Sequence, residues 1–168
     1  EISLGLVGSE MCIRDSLLFT TIAAVVLVGC GPLESTFFSI HDAAKDGDVD
    51  SVKKFLDQGV DINSQAGRWG NTPLHEAAFW GNVEVVRLLI SEEANVDAKD
   101  YYGCTPLHDA VDYGNLEILE LFLGKNTNVN AINEEGQTPL DLVSLKETAN
   151  LLRKHGGKTA AELKATGN

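Results

Sequence analysis

The stretch Thr72-Pro73-Leu74-His75-Glu76-Ala77-Ala78 decides the fold, because near copies of it recur at even spacing along the chain. The next copy is Thr105-Pro106-Leu107-His108-Asp109-Ala110-Val111. A shorter copy, Thr138-Pro139-Leu140-Asp141, follows it, and His41-Asp42-Ala43-Ala44 matches the part of the motif that begins at His75. Regular self-similarity of this kind indicates a small unit that buries its apolar face only by stacking on its neighbours.

The repeated motif resembles the signature of the ankyrin repeat, T-P-L-H-x-A at a period of about 33 residues. The resemblance implies an all-α solenoid of stacked helix-turn-helix units joined by hairpin-like loops. It also implies a protein-binding module rather than an enzyme. We expect four repeats at 39–69, 70–102, 103–135 and 136–157, followed by a tail helix within 158–168.

A Gly followed by Asp or Asn separates the two helices in each of the first three repeats. The pairs are Gly47-Asp48, Gly81-Asn82 and Gly114-Asn115. Gly turns the chain with a positive φ, and Asp or Asn is a preferred N-cap of the following helix. The fourth repeat lacks this turn and is shortened, which is typical of a terminal repeat. Thr159-Ala160-Ala161-Glu162 predicts a capping box for the tail helix.

The end of the second helix differs between repeats. Gly59 stands there in the first repeat, where a left-handed conformation is expected, and its equivalents are Glu93 and Asn126. Asn tolerates that conformation, whereas Glu there costs about 1–2 kcal/mol. Two alternatives remain open at this stage: a strained loop at Glu93, or a rearranged turn without strain.

One histidine per repeat, each followed by a carboxylate, raises the question of a zinc site or a general base. The residues are His41, His75 and His108. Equivalent positions of successive repeats lie about 10 Å apart, as packed helices do, whereas zinc ligands lie about 2 Å from the metal. We therefore predict no metal site, and because the sequence has no Gly-rich phosphate loop or nucleophile elbow, we predict no cofactor and no catalytic site. In ankyrin repeats this His is a structural hydrogen-bonding residue of the first helix.

Aromatic residues concentrate at the variable positions of the repeat. The resemblance implies that proteins bind at the hairpin tips and on the exposed face of the first helix. Both Trp and all three Tyr of the chain fall there, and Trp, Tyr and Arg are enriched in binding hot spots. Alternatively, some of these side chains pack between adjacent tips. The predicted protein-binding residues are Arg68, Trp69, Asn71, Phe79, Trp80, Tyr101, Tyr102, Asp112, Tyr113, Glu134 and Glu135.

The N-terminal segment indicates a lipoprotein of the bacterial cell envelope. Residues 17–28 are uncharged and mostly apolar, with the length of a signal-peptide core rather than of a membrane span. They end in Leu27-Val28-Gly29-Cys30, which resembles the bacterial lipobox, in which the Cys becomes the lipidated first residue. We therefore expect 17–29 to be cleaved, Cys30 to be lipidated and 30–38 to form a tether. An ordinary secretory signal and a buried strand are the alternatives.

Residues 1–16 do not fit a signal peptide, because they lack its basic region. They resemble translated linker sequence, and we expect them to be a non-native leader. The alternative is initiation at Met11, with Arg14 as a minimal basic region. By resemblance to lipoprotein sorting, Gly31 after the lipidated Cys favours the periplasmic face of the outer membrane.

The net charge limits the classes of molecule that the chain can bind, and the cysteine content limits its disulfides. The net charge is −12 over 168 residues, and −10 without residues 1–29, which argues against binding to nucleic acid or anionic membranes. Beside a lipidated Cys30, Cys104 has no partner for a disulfide within the mature chain. The predicted protein is a monomeric scaffold or regulator that binds another protein and meets the membrane only through its anchor. The alternative is an inhibitor or immunity-type protein that blocks a toxic or enzymatic partner.

Overall fold

The computed structural model describes residues 39–167, apart from the side chain of Tyr113. The expected leader, signal segment and anchor at Cys30 lie outside the described residues. Within 39–167 there are eight α-helices: α1 Ile40–Asp46, α2 Val49–Asp57, α3 Pro73–Phe79, α4 Val83–Ser91, α5 Pro106–Tyr113, α6 Leu116–Leu123, α7 Lys146–Lys154 and α8 Ala160–Ala165. A 3-10 helix covers Pro139–Leu142 between α6 and α7. The predicted all-α class is confirmed, and no helix of this region has the length and hydropathy to span a bilayer.

The helices stack in two layers. In one layer α1, α3, α5 and the 3-10 helix contact each other in that order, and in the other α2, α4 and α6 do so. The two helices of each of the first three repeats also contact one another. Helices of seven to nine residues are too short to be stable alone in water, so contacts between repeats supply the stability that each unit lacks.

The core repeats with the sequence. The first helices bury a large aliphatic side chain at the same position of every repeat: Ile40, Leu74, Leu107 and Leu140. One turn further along α1, α3 and α5 stand fully buried alanines, Ala43, Ala77 and Ala110, whose small side chains let the helices approach closely. Each buried Leu or Ile stabilises the fold by about 1.5–3 kcal/mol relative to an exposed one.

The glycines in the turns between paired helices have the positive φ that the sequence predicted. Gly47, Gly81 and Gly114 have φ of 78°, 75° and 70°, which is the left-handed region where Gly carries no penalty. Asp48 caps α2 by accepting a hydrogen bond from the backbone N–H of Ser51 at 3.0 Å. Asn115 caps α6 in the same manner.

Asn82 does not cap its own helix, so the prediction was wrong at this residue. It stands at the N-cap position of α4, but its side chain makes no capping hydrogen bond. Instead the amide Nδ2 donates to the carbonyls of Ala44 at 2.8 Å and Lys45 at 2.7 Å. These carbonyls belong to the last turn of α1, which has no intrahelical donors left. Asn82 therefore joins the second repeat to the first.

Of the two alternatives for the loop at Glu93, the structure shows the strained, left-handed one. Glu93 has a φ of 63°, Asn126 one of 57° and Gly59 one of 81°. The three equivalent positions share the left-handed conformation, and Glu93 adopts it despite its Cβ. The repeat geometry overrides the preference of the residue there.

The fourth repeat is shortened as predicted, and the missing residues come from its first helix. The 3-10 helix Pro139–Leu142 has four residues where α5 has eight. Leu145 then takes the N-cap position of α7 without a side-chain cap. The tail helix α8 begins with the predicted capping box, in which Thr159 and Glu162 each accept a hydrogen bond from the other's backbone N–H.

Candidate protein-binding groove

The recurring histidine of the first helices is a hydrogen-bonding residue, as the resemblance implied. In α3 the backbone N–H of Thr72 donates to Nδ1 of His75 at 3.2 Å. Because Nδ1 accepts, the ring hydrogen is on Nε2, which donates to the carbonyl of Cys104 at 3.2 Å. His108 repeats this with Thr105 at 3.0 Å and the carbonyl of Gln137 at 3.4 Å. Each ring ties its helix to the loop that leads into the next repeat.

The surroundings of His75 and His108 favour the uncharged form of the ring. Burial lowers the pKa of both His75 and His108 below the usual value, although their carbonyl partners oppose the shift. His41 contacts the carbonyl of Ser64 at 2.8 Å. Among the described residues, no cluster of three or more His, Cys, Asp or Glu side chains could hold a metal ion. Through their hydrogen bonds the rings of His75 and His108 link successive repeats.

The hairpin tips are bonded to each other through their backbones. The N–H of Tyr101 donates to the carbonyl of Trp69 at 2.9 Å, and that of Glu134 to the carbonyl of Tyr102 at 2.8 Å. Asp100 shapes one tip, since its Oδ1 accepts from the N–H groups of Tyr102 and Cys104 at 2.9 and 2.8 Å. Successive tips thus form one fixed edge.

A groove of about 790 Å³ lies between this edge and the exposed faces of α1, α3 and α5. Large aromatic side chains line it and remain open to solvent: Trp69 is 55% exposed, Tyr102 49%, Trp80 44% and Phe79 40%. Phe79 and Trp80 meet edge to face, with ring centroids 5.4 Å apart. The ammonium of Lys45 lies 5.1 Å from the centroid of the Trp80 ring, within range of a cation–π contact.

The groove is lined by some, but not all, of the residues predicted to bind a protein. Six of the predicted residues line it: Trp69, Asn71, Phe79, Trp80, Tyr102 and Glu135. Arg68, Tyr101, Asp112 and Glu134 are exposed but do not border it. Tyr101 packs on the backbone of Gly70, where an added Cβ would lie 2.5 Å from the ring, so the alternative of packing between tips holds for this residue. The side chain of Tyr113 lies outside the described part of the chain.

Sequence reasoning missed the acidic floor of the groove. Asp42, Glu76 and Asp109, which directly follow the three histidines, all line it. They recur with the period of the repeat, which places them on one face of α1, α3 and α5, so the signal was present in the repeat itself. Asp100 adds a fourth carboxylate from the tip.

Asp109 has an unusual environment among these acids. Burial raises its pKa well above the usual value, and the nearby carboxylates of Asp100, Glu76 and Asp112 raise it further. Glu76 is held by the Asn71 side-chain amide at 2.8 Å. None of the described side chains donates a hydrogen bond to the Asp109 carboxyl group or forms an ion pair with it. The same burial and neighbouring carboxylates disfavour the negative charge of Asp109 in the folded chain.

Cys104 also lines the groove as a free, half-buried thiol. Burial raises its pKa, and the side-chain amide of Asn133 partly opposes this. A raised pKa favours the thiol over the nucleophilic thiolate.

Comparison with known proteins agrees with this geometry. Residues 40–133, more than half of the chain, match the family described as ankyrin repeats, in three copies. An ankyrin repeat protein of fowlpox virus is 43% identical over 58 residues, which is 34% of this chain and 14% of the viral protein. Mouse 2-5A-dependent ribonuclease is 42% identical over 57 residues, 34% of this chain and 8% of the mouse protein.

A third relative contains other domains as well. The ankyrin repeat, SAM and basic leucine zipper domain-containing protein 1 of Dasypus novemcinctus is 40% identical over 73 residues, 44% of this chain and 15% of that protein. The chain thus spans at most 15% of the length of these three relatives. The matched region contains no catalytic domain, and the ankyrin relatives indicate a protein–protein interaction module. By its repeats, its hydrogen-bonding histidines and its matched span, the chain belongs to the ankyrin-repeat family.

Proposed function

We propose that the chain is a polypeptide-binding scaffold or regulator of the bacterial cell envelope, and that its partner occupies the groove. The observation that carries the proposal is the exposure of Trp69, Trp80 and Tyr102 along one groove. Contiguous exposed apolar surface usually marks an interaction site. Trp and Tyr are also the side chains that contribute most when they are buried in an interface.

The scaffold favours binding because little has to be ordered on association. The tips are already joined by the Trp69–Tyr101 and Tyr102–Glu134 backbone hydrogen bonds, and the helices beneath them share one core. Conformational entropy that has been lost on folding is not lost again on binding. A pre-formed aromatic groove therefore needs fewer contacts to reach a given affinity.

The envelope part of the proposal rests on the sequence before the repeats. An uncharged apolar segment, 17–28, leads into the lipobox-like Leu27-Val28-Gly29-Cys30. Lipidation at Cys30 would hold the first repeat close to the membrane, because few residues separate Cys30 from Ile40. Two lipid chains or more give stable anchoring, whereas one gives marginal binding.

The binding proposal is tested by capture from bacterial membranes. The tagged chain, the variant Trp69→Ala/Trp80→Ala/Tyr102→Ala and a control, Glu120→Ala on the exposed surface of α6, are each used as bait, and bound proteins are quantified by mass spectrometry. We expect a partner that the chain and the control retain and that the triple variant loses by about tenfold or more. Equal capture by all three baits contradicts the proposal. Circular dichroism of each bait checks that the fold is kept.

The anchor is tested separately by metabolic labelling with a palmitate analogue. The chain should be labelled and should sediment with the outer membrane, and Cys30→Ala should be unlabelled. Labelling that persists in Cys30→Ala, or no labelling of the unaltered chain, contradicts lipidation at this residue.

A further inference from the structure

We infer that the occupant of the groove presents a basic side chain, lysine or arginine, next to an apolar one, and that Asp109 and Glu76 receive its cation. This inference rests on the proposed function, because it specifies the chemistry of the partner in the same groove. It commits to a polypeptide segment rather than to a free ion or a small ligand.

The first argument is the charge of the lining. Five carboxylates face the groove: Asp42, Glu76, Asp100, Asp109 and Glu135. Lys45 is the one Lys or Arg among the described residues that line it, and its ammonium lies over the Trp80 ring. An acidic partner would meet repulsion here, whereas a basic partner would be attracted and steered into the groove.

The second argument is that these carboxylates are not neutralised within the described part of the chain. The ion pairs found there join Arg87 to Glu84 and Glu117, and Arg153 to Glu162. All of these lie outside the groove. Asp109 accepts no hydrogen bond from the described side chains, while Glu76 keeps one bond from Asn71. A Lys or Arg side chain of the partner, which has several N–H donors, would supply the hydrogen bonds that the Asp109 carboxylate does not receive from the described side chains.

The third argument is the kind of wall that surrounds the acids. Phe79, Trp80 and Tyr102 present rings beside the carboxylates. Lysine and arginine have an apolar stem that packs on such rings and a charged end that reaches further. The ammonium of Lys45 already lies over the Trp80 ring, 5.1 Å from its centroid. The groove therefore matches both parts of a basic side chain.

A metal cation would also be attracted by the carboxylates, but it fits the groove less well than a basic polypeptide segment does. No three of these side chains in the described region approach one another closely enough to hold one. Large aromatic walls also contribute nothing to the coordination of a hard cation, which takes oxygen ligands. A basic segment with an apolar neighbour uses both the acids and the rings.

The test is a selection of random dodecapeptides displayed on phage against the full chain, followed by affinity measurement on the selected peptides. We expect the peptides to share a Lys or Arg beside an apolar or aromatic residue. For a selected peptide, Asp109→Asn/Glu76→Gln should weaken binding by about tenfold or more, as loss of a charge pair does in an interface. Glu120→Gln, a carboxylate outside the groove, should leave affinity unchanged.

A double-mutant cycle separates a direct contact from an indirect effect. The basic residue of the peptide is replaced by norleucine, which keeps the length of the stem and removes the charge. The norleucine peptide should bind the chain and its Asp109→Asn/Glu76→Gln variant equally, so that the two changes are not additive. Additive losses overturn the assignment of Asp109 and Glu76 as the acceptors.

The outcomes also separate this inference from the proposed function. Peptides that lose binding in Trp69→Ala/Trp80→Ala/Tyr102→Ala but carry no shared basic residue overturn the inference and leave the groove as the binding site. Peptides whose binding is unchanged in that triple variant, or the absence of any selected peptide, count against both. Ca²⁺ or Zn²⁺ that displaces a selected peptide would assign the acids to a metal and overturn the inference.

Discussion

The ring of His75 donates from Nε2 to the carbonyl of Cys104 at 3.2 Å and so links two successive repeats. The same ring accepts from the N–H of Thr72, which starts its own helix. One side chain thus closes the N-terminus of α3 and fixes the loop that carries Cys104 into the groove. The groove is built on this bond and on its copy at His108.

Replacing His75 should therefore destabilise the fold strongly. His75→Ala leaves the Thr72 N–H without an acceptor and opens a cavity under a fully buried ring. We expect a loss of about 2–4 kcal/mol in the free energy of unfolding, measured by urea denaturation and circular dichroism. The exposed His155→Ala is the control and should change stability by less than about 0.5 kcal/mol. An equal effect of the two substitutions would contradict a structural role for His75.

Acid should destabilise the chain through the same histidines. Burial lowers the pKa of His75 and His108 below 6.5, so below that pH the unfolded chain binds protons that the folded chain does not. Stability should fall as the pH drops from about 7.5 through 6.5, until the folded pKa values are reached. Nuclear magnetic resonance should show midpoints below 6.5 for both rings. Midpoints at or above the usual histidine value would contradict this account.

Asp109 should act in the opposite direction. Its raised pKa means that the folded chain binds this proton more readily than the unfolded chain does, so the carboxylate destabilises the fold at neutral pH and the penalty disappears as the pH falls towards 3.8. Asp109→Asn should stabilise the chain at neutral pH and have little effect near pH 3.8. Urea unfolding of both proteins across this range measures the difference. A variant that is less stable than the parent at neutral pH would show that the carboxylate has a partner.

Glu93 offers a stabilising substitution. Its φ of 63° costs about 1–2 kcal/mol for a residue with a Cβ, so Glu93→Gly should raise the free energy of unfolding by about 1 kcal/mol after the entropy of Gly in the unfolded chain is subtracted. The neighbour Glu92 has a φ of −87°, and Glu92→Gly should therefore lower stability. Thermal unfolding of the pair checks the prediction. The same sign for both would contradict strain at Glu93.

Asn82 should couple the first two repeats. Asn82→Ala removes two hydrogen bonds to the carbonyls that end α1, at about 1 kcal/mol each. Hydrogen exchange should then increase in α1 more than in α5. Uniform changes over all helices would mean that Asn82 acts on global stability alone.

Much of this arrangement could be predicted from residues that repeat. The regular period predicted the stacking, and the resemblance to the ankyrin repeat implied the hydrogen-bonding role of His75 and His108. The role of Asn82 could not be predicted, because Asn at this position suits an N-cap and a hydrogen bond to the preceding repeat equally well. The acidic floor was also missed, because Glu76 and Asp109 were considered as metal partners and not as the surface beside the aromatic tips.

The groove itself could be predicted only in part, since exposure depends on how adjacent tips meet. Tyr101 and Tyr102 are sequence neighbours, yet one packs on Gly70 and the other lines the groove. The glycine that makes room for Tyr101 belongs to the preceding hairpin tip, beside Trp69. No pattern in the local sequence indicates which of Tyr101 and Tyr102 lines the groove.

Site-specific photocrosslinking tests the central claim, that a polypeptide binds in the groove. A photoreactive phenylalanine analogue is placed at Trp80 in one version of the chain and at Glu120, outside the groove, in another, and both are irradiated with the captured partner or a selected peptide. We predict a covalent adduct from position 80 and none from position 120. An adduct from position 120 with none from position 80 would contradict the account.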